Sequence, residues 1–202
     1  MLIGAIAIVA IAAGMLLSRY MLGRAAQGAP ILETATLLDP PRPLPPMQLT
    51  DDQGQPFDNA RVRERWSLLF FGFTNCPDIC PTTLTQLAQV EKALADLPAA
   101  QRPQIVLMSV DPQRDTAAQL DKYVHFFSPS FVGVTGTERA VEELTRQLGV
   151  PVAITRTSDT YTVDHSSAIF LVNPAGKMRA LFSAPHVTKA IAEDYRRIVT
   201  AS

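Results

Sequence analysis

The chain has 202 residues, 47% of them hydrophobic and 18% charged, and a formal net charge of −1. That length suits one domain plus some additional chain, and that apolar content supports a packed core and excludes a disordered protein. The near-neutral, slightly acidic balance excludes a nucleic-acid partner, and two cysteines with three histidines exclude a disulfide-dense scaffold and a four-cysteine zinc site.

Residues 1–24 open with a run free of charge from Leu2 to Leu17. A span needs about 20 apolar residues, which this run reaches if Arg19 extends its guanidinium to the headgroups and Tyr20 sits at the interface. A transmembrane anchor is expected, with a cleaved signal peptide ending near Ala26–Gly28 as the alternative. Residues 25–46 are expected as a linker, because Asp39–Pro46 holds five prolines. Such a stretch excludes helix and central strand and reads as a polyproline spacer. The globular domain is expected over 47–202.

Within it, Met47–Leu49 and Gln55–Phe57 flank an Asp-Asp-Gln-Gly turn and read as a β-hairpin. Trp66–Phe73 is almost continuously apolar, the pattern of a buried central strand. Pro81 then suits the first turn of a helix with an apolar stripe through Leu84, Leu87 and Leu94. Gln104–Val110 reads as a second buried strand, Thr116–Phe127 as a helix and Phe131–Val134 as a short strand. Thr137 caps a helix that Gly149 ends. Val152–Thr155 and Thr160–Val163 read as extended pieces. Ala168–Val172 and Met178–Phe182 flank a turn between antiparallel strands, and Val187–Val199 reads as a closing helix. The order is α/β and thioredoxin-like, with an N-terminal hairpin extension. The right-handed crossover makes the 66–73 and 104–110 strands parallel neighbours, and the loop after the first of them lies where α/β sheets keep their sites.

Both cysteines occupy that loop, as Cys76-Pro-Asp-Ile-Cys80. The C-x3-C spacing lets two sulfurs converge on one ion while still permitting a disulfide. Cys80 sits at a helix N-terminus, which favours a thiolate. Asp78 between them either raises both thiol pKa values or faces solvent. Of the histidines, His165 lies in the loop entering the 168–172 strand, which faces the cysteine turn in a thioredoxin-like fold. No proline stands between Pro151 and Pro174 to shape a disulfide-substrate groove there. Asp164 beside it either supports the imidazole or faces solvent. His125 reads as an ordinary helical residue, and His186 as a capping or surface residue. Two thiolates and an imidazole make a soft, low-coordinate site that suits Cu(I), with Zn(II) and Cu(II) as competitors. A peroxidase is discounted because Phe73 and Pro77 stand where a threonine would precede the reactive cysteine.

Four segments in order, FGFTNCPDICPTTL, SVDPQRDT, FVGVTGT and VDHSSAIFLVNPAGK, resemble the SCO/SenC family of copper-binding thioredoxin-like proteins. The resemblance implies a copper metallochaperone with Cys76, Cys80 and His165 as ligands. It implies delivery to the binuclear copper centre of cytochrome c oxidase subunit II, and a copper donor or thiol reductant as further partner. It implies an inner-membrane anchor with the domain in the periplasm or the mitochondrial intermembrane space, although Arg19 and Arg24, taken alone, would keep the domain in the cytoplasm. Asp111 and Arg114, in SVDPQRDT, either pair near the site or serve the loop. The alternative function is a thiol–disulfide reductase acting through Cys76 and Cys80, which has no need of His165.

Overall fold

The computed structural model describes residues 31–156 and 161–201, together with Gly14, Met15 and Ser18. The chain divides into two compact units, residues 1–31 and 32–202, and every element below belongs to the second. Apart from Gly14, Met15 and Ser18, the expected anchor at 1–24 lies outside the described residues. Among the described residues no helix is long and apolar enough to cross a membrane.

The elements in chain order are β1 (Ala35–Pro43), β2 (Gln48–Asp51), β3 (Pro56–Asp58), β4 (Ser67–Gly72), α1 (Ile79–Ala93), β5 (Gln104–Ser109) and α2 (Ala117–Phe127). There follow β6 (Val132–Thr135), α3 (Glu138–Leu148), β7 (Val152–Arg156), β8 (Tyr161–His165), β9 (Ile169–Val172), β10 (Lys177–Phe182) and α4 (Thr188–Thr200). One sheet runs β1-β10-β9-β4-β5-β6-β2-β3, and β7 and β8 form a separate antiparallel pair. Every residue of β4 and of β9 is buried, which explains their unbroken apolar runs. β4 and β5 are parallel, in register from Ser67–Gln104 to Gly72–Ser109. β9 lies antiparallel on the other side of β4, with Phe70 opposite Ile169. The C-terminal end of β4 and the N-terminal end of β9 are therefore neighbours, so the loops attached there meet.

Local signals account for most boundaries. Thr116 and Gln119 form a reciprocal capping box on α2. Thr137 caps α3, which ends at Gly149 in the left-handed conformation, φ 68°. α1 begins two residues before Pro81, so Cys80 lies inside its first turn. Pro81 is tolerated there because first-turn N–H groups have no helical partner.

The expected proline spacer is a correction. Ala35–Pro43 is an edge strand paired with β10, and Leu44 is buried behind it. Helix and central strand are indeed avoided. What the prolines permit is an edge, where one row of N–H groups needs no partner, and the pairing register breaks between Leu37 and Arg42. The entry to this strand is pinned by Asp194 of α4, which is fully buried. Its carboxylate accepts the N–H groups of Glu33 at 2.9 Å, Thr34 at 2.7 Å and Ala35 at 2.9 Å, and the Thr34 hydroxyl at 3.2 Å. Burial alone would raise the pKa of this carboxyl, but the three backbone donors outweigh it and hold the group below the usual carboxylate range. A lowered carboxyl stabilises the fold above its unfolded value near 4, and that contribution is lost as pH falls through the native value. Asp194→Asn is expected to cost about 1–3 kcal/mol at pH 7. In urea titrations its deficit relative to wild type is expected to shrink on acidification to pH 3.

Candidate metal centre

The buried end of β4 delivers the first half of the site. Gly72 ends the strand at a close approach: a Cβ there would lie 2.9 Å from Cys80 Sγ and 3.1 Å from Leu107 Cδ1. The chain then turns through Thr74 and Asn75, with the Cys76 N–H donating to the Phe73 carbonyl at 3.3 Å. Both cysteines are free thiols and buried, Cys80 completely. The second half comes from β8, whose last residue is His165. Its Nε2 stands 3.4 Å from Cys80 Sγ. The ligating atoms of Cys76, Cys80 and His165 lie within 4.8 Å of one another. The three residues singled out in the sequence are thus brought to one place, with Cys80 in the first turn of α1 and His165, expected in a loop, at the end of β8, 85 residues further on.

The protonation of the imidazole follows from its neighbours. Nδ1 lies 2.9 Å from the Ser166 carbonyl, which can only accept, so Nδ1 carries the proton and Nε2 presents a lone pair towards the sulfurs. Burial holds the His165 pKa below its usual value, opposed by the Ser166 carbonyl. Phe70 and Phe73 meet the ring edge-on, with centroids 6.2 and 5.7 Å away. Cys80 departs from expectation. The helix N-terminus was expected to favour a thiolate, yet burial pushes the thiol pKa well up, with the hydrogen bond to Cys76 and the negative charge of Asp115 acting in the same direction. In a fully buried first turn, desolvation outweighs the helix field.

Asp78 is exposed and accepts the Thr82 hydroxyl at 3.4 Å, so it is the solvated loop acid of the two readings. Asp164 is also exposed, and the partner of the His165 ring is Ser166 instead. Asp111 and Arg114 do pair. Tyr161, at the start of β8, joins them: its hydroxyl donates to Asp111 Oδ1 at 2.6 Å, and the guanidinium carbon of Arg114 lies 3.9 Å from its ring centroid. This clamp ties the hairpin that carries His165 to the loop after β5. Together with Phe73, Cys76 and Ile79, Arg114, Tyr161 and His165 line a cleft of about 420 Å³. A larger cavity of about 580 Å³ shares Tyr161 but none of the three ligating residues.

Two polar groups escaped sequence reasoning. Asp115, fully buried, accepts the Thr74 N–H at 3.1 Å, the Thr74 hydroxyl at 2.6 Å and the Ser109 hydroxyl at 2.6 Å. It staples the cysteine turn to the end of β5. His186, expected to cap or to face solvent, is buried, and the N-cap position of α4 is taken by Val187 with no side-chain cap bond. His125 is the ordinary residue expected, 3.1 Å from Asp121 and 4.0 Å from Asp52.

Fold and site together define a thioredoxin-like protein in which a C-x3-C turn faces a histidine loop. Residues 38–200 match the SCO1/SenC family, and the chain belongs to it. A Stutzerimonas stutzeri protein whose name ascribes copper binding to it is 41% identical over 152 residues, 74% of this chain and 73% of that one. The mitochondrial SCO2 homolog of Mus musculus is 38% identical over 155 residues, 76% of this chain and 61% of the mouse protein. The chain therefore spans about three fifths of that mouse relative. Among solved structures, Arabidopsis thaliana ScoI with copper bound superposes with a TM-score of 0.72 at 30% identity, covering 77% of this chain and 98% of that one.

Proposed function

We propose that the chain is a copper metallochaperone, holding Cu(I) on Cys76 Sγ, Cys80 Sγ and His165 Nε2 and passing it to a copper-accepting protein. The observation that carries this reading is the convergence of two sulfurs and one correctly protonated imidazole at one end of the sheet. Sulfur donors select soft Cu(I), which is satisfied by three ligands, whereas zinc normally takes four. Among the described residues no further histidine, cysteine or carboxylate groups with these three. The cleft beside the site leaves room for an acceptor side chain. Transfer then proceeds by ligand exchange: an acceptor thiol enters as a sulfur leaves and its proton passes to the departing sulfur, or an acceptor imidazole enters as the His165 imidazole leaves with no proton moved, and copper keeps its oxidation state. Family membership supports subunit II of cytochrome c oxidase as the acceptor, and residues 1–24 as the anchor that keeps the domain at the membrane.

The protonated Cys80 thiol gives a pH signature. Metal ligation requires the thiolate, so its proton is displaced as Cu(I) binds. The apparent affinity is expected to rise about tenfold per pH unit for each proton displaced, and to weaken correspondingly in acid. Competition with a chromogenic chelator between pH 6 and 8 reads this directly; a flat profile would mean that copper is not held by Cys80. The proposal itself is tested by the same titration on the reduced full chain. One tightly bound equivalent, lost in both Cys76→Ser and Cys80→Ser, supports it, and absence of tight binding in the wild type sinks it.

A second reading has its own observation. The two thiol sulfurs lie within 4.8 Å of one another. Oxidation to a Cys76–Cys80 disulfide releases two electrons and two protons, enough to reduce one disulfide on an acceptor to two thiols.

A further inference from the structure

The loop that carries His165 into β9 is held by few bonds. Within it, His165 Nδ1–H donates to the Ser166 carbonyl, and the Ala168 N–H donates to the Ser166 hydroxyl at 3.2 Å. The Ser167 carbonyl points to the chain segment before α4. There His186 Nε2 approaches it at 2.7 Å. A carbonyl only accepts, so His186 carries its proton on Nε2 and donates. Its Nδ1 is buried without a partner, and the residue is only 8% exposed. The ring is committed to a single bond, and that bond ends two residues from His165.

The backbone of His186 is tied in turn to the other half of the site. Gln86, on α1, donates its side-chain amide to the His186 carbonyl at 2.9 Å. α1 is the helix whose first turn holds Cys80. A continuous path therefore runs from Cys80 along α1 to Gln86, through the backbone and ring of His186 to Ser167, and back to His165. We infer that His186 is a positioning residue for the site. It links the helix that holds Cys80 to the loop that holds His165, and so sets where the His165 ring stands against the sulfurs. For copper affinity this rests on the metallochaperone reading; the placement of His165 does not.

The test uses the full chain as wild type, His186→Leu and His186→Gln. Leucine fills the space without a donor, while glutamine reaches a similar distance with an amide N–H. In the metal-free protein, the ring nitrogen and carbon-bound proton resonances of His165 report its placement without copper. They are expected to shift in His186→Leu and to return towards wild type in His186→Gln. Cu(I) affinity is expected to fall about 10–100-fold in His186→Leu, the range for groups that orient a metal ligand, and to recover in His186→Gln. The dithiol–disulfide equilibrium of Cys76 and Cys80, set against a glutathione buffer, is expected to stay unchanged in both. Unmoved His165 resonances in His186→Leu would overturn the inference. So would a thiol equilibrium that shifts along with them and is not rescued by glutamine, since that is general loss of packing. A wild type that binds no copper would overturn the metallochaperone reading, and the His165 resonances would still decide the role of His186.

Discussion

Replacing His165 with alanine is expected to abolish tight Cu(I) binding and to leave the thiol–disulfide chemistry intact. The imidazole supplies one donor of three, and Nε2 already points at Cys80 Sγ from 3.4 Å. Losing a ligand outright removes more than the 10–100-fold that follows from disturbing a group behind a ligand. The sulfurs left behind form a two-donor site in a cleft that water can then enter. Disulfide exchange is carried out by the two sulfurs, and His165 supplies neither its electrons nor either atom of the S–S bond. The expected pattern is an affinity loss beyond 100-fold with an unchanged equilibrium against glutathione. If copper binding survives in His165→Ala, the histidine is not a ligand. If both properties collapse, the ring is a packing element against Phe70 and Phe73, and the separation between the metallochaperone and reductase readings disappears.

The two halves of the site were legible in the sequence for a physical reason. β4 and β9 are buried on both faces, so they read as apolar runs, and the crossover rule makes β4 and β5 parallel neighbours. Once β4 and β9 are adjacent, the segments at their meeting ends must face each other: the turn into α1 with the cysteines, and the end of β8 with His165. What escaped was long-range and polar. Asp115 reaches back 41 residues to Thr74, and His186 reaches back 19 to Ser167. A single buried acceptor or donor leaves no periodicity to find. β1 is hidden because five prolines exclude a central strand and fit a polyproline spacer as well as they fit an edge strand, which needs only some of its N–H groups. The state of Cys80 escaped because the helix end is visible in the sequence and the depth of its burial is not.

The second large effect is expected at Asp115. Its carboxylate takes three donors, two from Thr74 and one from Ser109, in a fully buried position. Asp115→Ala strands all three, and each buried donor without an acceptor costs about 1–3 kcal/mol. Partial relaxation keeps the sum below the maximum, so a loss of about 3–5 kcal/mol is expected. A double-mutant cycle with Thr74→Val should show coupling, because both substitutions remove the bond from the Thr74 hydroxyl, while the bond from the Thr74 N–H is lost only in Asp115→Ala. Asp115→Asn keeps one acceptor and is expected to cost less. Its pH dependence also differs in sign from that of Asp194. Burial outweighs the bonds from Ser109 and Thr74 and holds the Asp115 carboxyl above the usual range. A raised carboxyl favours folding most fully below its unfolded value near 4 and loses that contribution as pH rises through the native value. The stability gap between wild type and Asp115→Asn is therefore expected to widen on acidification, where the gap for Asp194→Asn narrows. Urea titrations of the two variants at pH 7 and pH 3 measure both, and gaps that move in the same direction would refute the assignment for one of the two carboxylates. Because Asp115 grips the residue two before Cys76, Cu(I) affinity is expected to fall in Asp115→Ala even under conditions where the fold survives.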